Sequence, residues 1–219
     1  MKNFQHFLSD YHTETYEKGE VLLHQDTKPS HALVIKSGII KVYNLTSQGE
    51  EIAVDFATKD DTLPIGWVFG KLHRTQYYYE ALTDSTVYAI PRKELLAFLK
   101  ANPESMLVLL QQAAQDSMNQ AMHVNALGQL RARDKVLYAI HYFALCFGRD
   151  LHKDIVHIPL PLTQQDIANF TGLTRRTIGF ELKRLASINV VFKRQRKYVV
   201  LTDKLNELLD DEYTNHVIR

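Results

Sequence analysis

Residues Leu162 to Leu185 read LTQQDIANFTGLTRRTIGFELKRL. Two short helical patterns flank a glycine. Thr163 offers a hydroxyl that can accept from an unpaired N–H of a first helical turn. Asp166 follows three residues later, in the position that completes a capping box. Ile167 and Ala168 give that helix a short apolar face. Thr171-Gly172-Leu173 interrupts it, and Gly172 can take the positive φ that a helix end requires. Thr174 is a second N-cap. Beyond it Ile178, Leu182 and Leu185 recur at i, i+4 and i+7, a single buried stripe. Arg175, Arg176, Thr177, Gly179, Phe180 and Lys183 are left for the rest of the surface, and Gly179 lets the helix come close to whatever it faces. Helix, tight turn and a second helix opening on paired arginines is the arrangement that enters a DNA major groove, where an arginine can donate twice to guanine O6 and N7.

An ordinary amphipathic hairpin with a solvated basic face would share this pattern. The residues that follow argue against it. Val190-Val191-Phe192 and Tyr198 to Leu201 read as strands around the tip KRQRK, in which Lys193, Arg194, Arg196 and Lys197 are cationic. Two helices followed by a basic hairpin make a winged helix-turn-helix, whose wing suits phosphate contacts. The charge distribution agrees. The whole chain of 219 residues has a formal net charge of +1, yet residues 1–125 hold 11 Lys+Arg against 15 Asp+Glu, and residues 163–200 hold 8 against 2. The positive field is concentrated where counterion release from DNA would drive binding.

The length accommodates two modest domains. The single cysteine, Cys146, rules out a disulfide or a cysteine-ligated cluster within one chain and reads as a small core residue in FALCF. No secretory signal or run of about 18 apolar residues is visible, so the expected location is the cytoplasm, without a membrane partner. The histidines do not show metal-ligand spacing, and no metal site is expected, His73 included. Nothing resembles a nucleophile–base pair, a carboxylate pair or a phosphate-binding glycine loop, which disfavours an enzyme.

Ahead of these elements, Val21–Leu23, Ala32–Ile35, Ile39–Tyr43, Ile52–Phe56 and Thr86–Ile90 read as short strands separated by turn signals, the pattern of a small barrel or sandwich. A short helix is expected near Lys93–Lys100. Asn102-Pro103 opens a long one, along which Leu107, Leu110, Ala114, Ser117, Ala121 and Val124 recur at steps of three and four. This heptad-like seam suits a second copy of the chain, with Met118 and Met122 turned toward the barrel. Residues 131–147 form a further apolar helix that ends at Gly148, and residues 204–219 read as an acidic helix or tail.

Taken together, YEKGEVLLHQDTKPSHALVIKSGIIKVYNLTSQGEEI (Tyr16 to Ile52) and the Leu162–Leu185 stretch resemble the bacterial catabolite activator protein and FNR (Crp-Fnr) family of transcription regulators. The resemblance implies an α+β chain. A cyclic-nucleotide-binding-like β-roll (a jelly roll) would occupy residues 1–102, a long dimerisation helix 103–130, and a winged helix-turn-helix 131–219. It also implies a homodimer that binds a two-fold-symmetric duplex, with the β-roll biasing the DNA-reading helices through the long helix. Thr163, Gln165 and Thr174 match phosphate-contacting positions, and Arg175 matches the guanine-reading arginine. Two positions depart from the family. Arg176 stands where glutamate is common, and Phe180 replaces an arginine, leaving only apolar contact such as that with a thymine methyl.

The effector region departs further. Cyclic-nucleotide-binding members carry Gly-Glu followed by Arg-Ser or Arg-Thr. Here Gly66 precedes Trp67 and Gly70 precedes Lys71, so the glutamate is absent, while Arg74-Thr75 remains. Gly66, Trp67, Phe69, Gly70, Lys71, Arg74 and Thr75 are the expected pocket. Cyclic AMP is disfavoured as effector and no cofactor is assigned. The aromatics Trp67, Phe69, Tyr77, Tyr78 and Tyr79 either line a site for another small molecule or fill it. The alternative functions are a cyclic-AMP-responsive regulator, or a sensor that acts mainly through protein contacts, for example with RNA polymerase.

Overall fold

The computed structural model describes residues 2–70, 72–195 and 197–217, with their side chains described between residues 3 and 209. The chain divides between Met118 and Asn119 into two compact units.

The first unit begins with helix α1 (Lys2–Ser9). It continues through β1 (Thr13–Tyr16), β2 (Val21–Leu23), β3 (Ala32–Ser37), β4 (Ile40–Leu45), β5 (Glu51–Ala57), β6 (Thr62–Leu63), helix α2 (Ile65–Phe69), β7 (Tyr78–Ala81) and β8 (Ser85–Ile90). All pairings are antiparallel, in two four-stranded sheets ordered β1-β8-β3-β6 and β2-β7-β4-β5. Alternation along β3 shows how the layers are held. Leu33 and Ile35 pack between the sheets with Ile40, Val42, Tyr79, Ala81 and Val87. Ala32 and Val34 turn the other way, into a cluster with Phe4, Leu8, Trp67, Val68, Leu95, Leu99 and Leu109. A two-residue side-chain period thus lets one strand serve two cores. The second cluster is roofed by α3 (Arg92–Ala101) and the first turns of α4 (Pro103–Gly128).

Helix α4 has two working faces. Leu109, Asn119, His123 and Ala126 are buried, and Gln112 and Asp116 fall in register between them. The Gln112 amide oxygen accepts from the Thr62 backbone N–H at 3.2 Å. About 200° away, Leu107, Leu110, Ala114, Ser117, Ala121 and Val124 are all exposed. Met118 is also exposed, at 65%. It therefore does not face the barrel, because the inner face is held by the polar residues above and Met118 falls beside the outer seam.

The second unit adds α5 (Ala132–Phe147), β9 (Arg149–His152), β10 (Ile155–Ile158), α6 (Gln164–Thr171), α7 (Arg175–Ser187), β11 (Val191–Arg194), β12 (Lys197–Leu201) and α8 (Thr202–Val217). The wing hairpin β11–β12 belongs to a four-stranded sheet, β11-β12-β10-β9, rather than standing alone. Gly148 ends α5 in extended backbone, its N–H bonded to the Ala144 carbonyl. The core of this unit is aromatic. Tyr142, Phe143 and Phe170 are fully buried, and Phe170 lies 4.8 Å from both other rings.

Candidate nucleic-acid interface

The helix-turn-helix is built by its own short sequence. Thr163 and Asp166 form a reciprocal capping box: the Thr163 hydroxyl accepts from the Asp166 N–H at 3.1 Å, and the Asp166 carboxylate accepts from the Thr163 N–H at 2.7 Å. The same carboxylate accepts from the Thr163 hydroxyl at 2.7 Å. The Thr163 side chain therefore spends its donor inside the cap. Gly172 ends α6 at φ 66°, ψ 24°, the left-handed conformation that redirects the chain into α7. Thr174 caps α7 by accepting from the Thr177 N–H, and the two hydroxyls lie 2.8 Å apart. Thr177 is thereby held to its cap instead of projecting freely. Ile178, Leu182 and Leu185 anchor α7 to the core.

Anchoring that stripe turns the opposite ridge of α7 to solvent. Arg175, Arg176, Phe180 and Lys183 are exposed, Phe180 at 66%. Gly179 is half-buried, and its near neighbour is Gln164 of α6: a Cβ there would meet the Gln164 side-chain oxygen at 3.2 Å. The glycine thus makes room for a neighbouring helix as well as for a partner. Thr163, Gln164, Gln165, Arg175 and Lys193 line one groove, which joins the start of α6, the start of α7 and the wing. Gln165 also donates to Asn169 at 2.7 Å. In the wing, the Lys193 ammonium stands 4.9 Å above the Tyr198 ring, its cross-strand partner, which holds the charge at the rim of the groove. Arg194 and Lys197 pair across the hairpin next to it. Arg196 lies outside the described residues.

Gln164 escaped the sequence reading, which followed threonine caps and cations; only its place two residues after Leu162 in the first turn could have suggested it. His123 escaped too. Its ring stacks on Phe170 at 3.7 Å between centroids, and Nε2 donates to the Phe170 carbonyl at 2.7 Å. The end of α4 is therefore bonded directly to α6.

In the first unit, the described members of the expected effector pocket fall into separate environments. Trp67 is buried in the helix-side cluster with the Arg92 guanidinium 5.5 Å from its ring, and Phe69 is exposed. Tyr79 and Tyr77 pack in the inter-sheet core, while Tyr78 stacks on Tyr43. Gly70 closes α2 through a bond to the Gly66 carbonyl. Arg74 is exposed and donates to the Asp26 carbonyl at 2.6 Å. Thr75 is buried, its hydroxyl bonded to the carbonyls of His24 and Thr27. Lys71 lies outside the described residues.

Arg74 Nη1 and the Thr75 hydroxyl, donors that a cyclic phosphodiester could use, bond to the loop at Asp26. What the long helix brings toward the β-roll is acidic. Asp116 has its pKa pushed up to about 7, first by burial and then by the charges of Asp55 and Asp61. Among the described residues no cluster of three or more His, Cys, Asp or Glu could hold a metal ion, and no helix is long and apolar enough to cross a membrane.

Comparison with known proteins agrees with this architecture in both halves. Residues 13–102 match the cyclic nucleotide-binding domain family, and residues 136–208 match the Crp-like helix-turn-helix domain family. The chain is 28% identical over 192 residues to the probable transcriptional regulator flp of Lacticaseibacillus casei, covering 87% of this chain and 83% of that one. It is 24% identical over 194 residues to the cAMP-activated global transcriptional regulator CRP of Salmonella typhimurium, covering 89% of this chain and 91% of the other. The FixK2 structure from Bradyrhizobium japonicum shares the fold, with a TM-score of 0.74 at 20% identity, over 90% of this chain and 96% of that one. With both domains matched in this order, the chain belongs to the Crp-Fnr family: it is a DNA-binding transcription regulator with an effector-binding-type domain, and not an enzyme.

Proposed function

We propose that the chain works in the cytoplasm as a homodimer that reads a two-fold-symmetric duplex, and that its β-roll does not respond to cyclic AMP. In this reading residues 1–102 form the effector-type domain, 103–130 the dimerisation helix and 131–219 the DNA-binding domain. One observation carries it: Arg175 stands exposed at the capped start of α7, on a groove shared with Gln164, Gln165 and Lys193. Arg175 is placed for a guanine edge. In this reading Gln164, Gln165, Thr174, Lys193, Arg194 and Lys197 take the flanking phosphates, which fix register without reading sequence.

The second copy is argued from α4. Its inner face is already occupied, yet the outer face keeps Leu110 63% and Val124 67% exposed on a helix of 26 residues. A two-fold partner on that seam would bury these side chains and set two α7 helices about 34–36 Å apart, one turn of duplex. The case against cyclic AMP is the engaged Arg74 and Thr75 and the carboxylates of Asp55, Asp61 and Asp116. The packing of Trp67, Tyr77 and Tyr79 supports the reading in which these aromatics fill space.

Selection of bound duplexes from a random pool tests this reading, paired with sedimentation analysis of the free protein. An enriched site with two-fold symmetry and a dimeric sedimenting species are expected. A pool with no enriched sequence would favour a sensor that works through protein contacts.

A further inference from the structure

The exposed ridge of α7 contains a residue that neither folding nor hydrogen bonding explains. Phe180 is 66% exposed, although the apolar stripe that fixes α7 (Ile178, Leu182 and Leu185) is complete without it. Around the helix Phe180 stands about 40° from Arg176 and about 60° from Lys183, at 100° per residue. All three side chains face solvent, opposite the stripe. A large apolar ring is thus held outward beside two cations on the segment with the densest positive charge, Lys+Arg 8 against Asp+Glu 2 over residues 163–200.

That combination selects the partner. An apolar protein surface would have to leave Arg176 and Lys183 without counter-charge. The floor of a DNA major groove offers both chemistries at once: phosphates at its edges, acceptors on guanine, and the C5 methyl of thymine, an apolar group that projects into it.

We propose that Phe180 is a specificity-determining residue that packs on a thymine methyl in each half-site. This rests on the DNA-reading function of α7 proposed above. Phe180 has no group with which to donate to or accept from a base edge, so the methyl is its means of discrimination. The spacing adds a constraint. Arg176 and Phe180 are four residues apart, about 6 Å along the helix, against about 3.4 Å per base step along a strand. The thymine met by Phe180 therefore lies within about two base pairs of the base that Arg176 faces.

The test uses the full-length chain and the duplex enriched by selection. Each thymine is replaced in turn by deoxyuridine, which lacks only the C5 methyl, and Kd is measured for the wild type, Phe180→Ala and Phe180→Leu. One thymine per half-site is expected at which deoxyuridine weakens wild-type binding about four-fold, the loss equivalent to one buried methyl. Phe180→Ala should bind the thymine and uracil duplexes equally, and Phe180→Leu should keep part of the difference. Phe180 is exposed, so an unchanged circular dichroism spectrum is expected for both variants. The inference is overturned if no deoxyuridine weakens wild-type binding, or if Phe180→Ala keeps the wild-type thymine-to-uracil ratio. It is also overturned if Phe180→Ala binds DNA as the wild type does and loses only a protein contact. Failure to enrich any duplex would instead overturn the DNA-reading function, and this inference with it.

Discussion

The two ends of the chain carry the two halves of a regulator, and their expected sites are built in different ways. In the second unit, caps, turn, buried stripe and outward cations act together: each feature of Leu162–Leu185 serves the placement of Arg175. In the first unit two four-stranded sheets enclose one core, and the residues of the expected site fall into separate environments. Trp67 packs in a helix cluster, and Arg74 Nη1 and the Thr75 hydroxyl bond to a loop. A fold can be retained by packing alone, whereas a binding site needs particular donors left free at particular points.

The strongest way to break the comparison is at the core of the second unit. Phe170 is fully buried among Tyr142, Phe143 and His123, and Phe170→Ala should cost about 3–5 kcal/mol. Thermal or denaturant unfolding followed by tryptophan-independent circular dichroism would read this, and DNA binding should be lost with it. A loss under 1 kcal/mol would show that α6 does not depend on this aromatic core.

Next in size is Arg175→Ala. It should weaken binding to the selected duplex by roughly 1–3 kcal/mol and relax preference at one guanine per half-site. Lys193→Ala sharpens the contrast between reading and positioning. It should weaken binding to all sequences alike and lower the salt-dependence slope by about one. If both variants lost affinity evenly across sequences, α7 would not be reading bases.

Thr163→Ala removes a capping box without touching the core and should destabilise the second unit by about 1 kcal/mol in unfolding experiments.

A pH-dependent effect concerns the acidic side of α4. An Asp in the unfolded chain ionises near 3.8, whereas Asp116 in the native state holds its proton up to about 7. The native state therefore binds more protons between these values, and stability falls as pH rises through that window and levels off above it. Asp116→Asn should flatten the dependence of Tm on pH between about 5 and 8 and give the larger gain at the alkaline end. An unchanged profile would remove Asp116 from the group that includes Asp55 and Asp61.

What could be read from sequence divides along the same line. Thr163, Asp166, Gly172 and Thr174 act within three or four residues of themselves, so their roles are visible in a short window. The strands Ala32–Ser37 and Ile40–Leu45 show through runs of β-branched and apolar residues. Strand β9, RDLH, does not, because it is exposed along its length and is ordered by its partner β10. Nor does the inner face of α4. Gln112, Asp116, Asn119 and His123 follow the same three-four spacing as the apolar seam, but their partners lie far away in sequence: Thr62 for Gln112, Cys146 for Asn119 and Phe170 for His123. Hydrophobic periodicity finds an apolar stripe and passes over a polar one. Arg74-Thr75 shows the converse, a recognisable pair whose bonds to the loop at Asp26, through Arg74 Nη1 and the Thr75 hydroxyl, no sequence pattern announces.

The contrast between the two units is tested most directly by titrating the selected duplex with the full-length chain, by fluorescence anisotropy, with and without saturating cyclic AMP. Sequence-specific binding with the same Kd in both conditions is expected. A Kd that tightens ten-fold or more with cyclic AMP would contradict the reading of Arg74, Thr75 and Asp116, and would place a working nucleotide site in the β-roll.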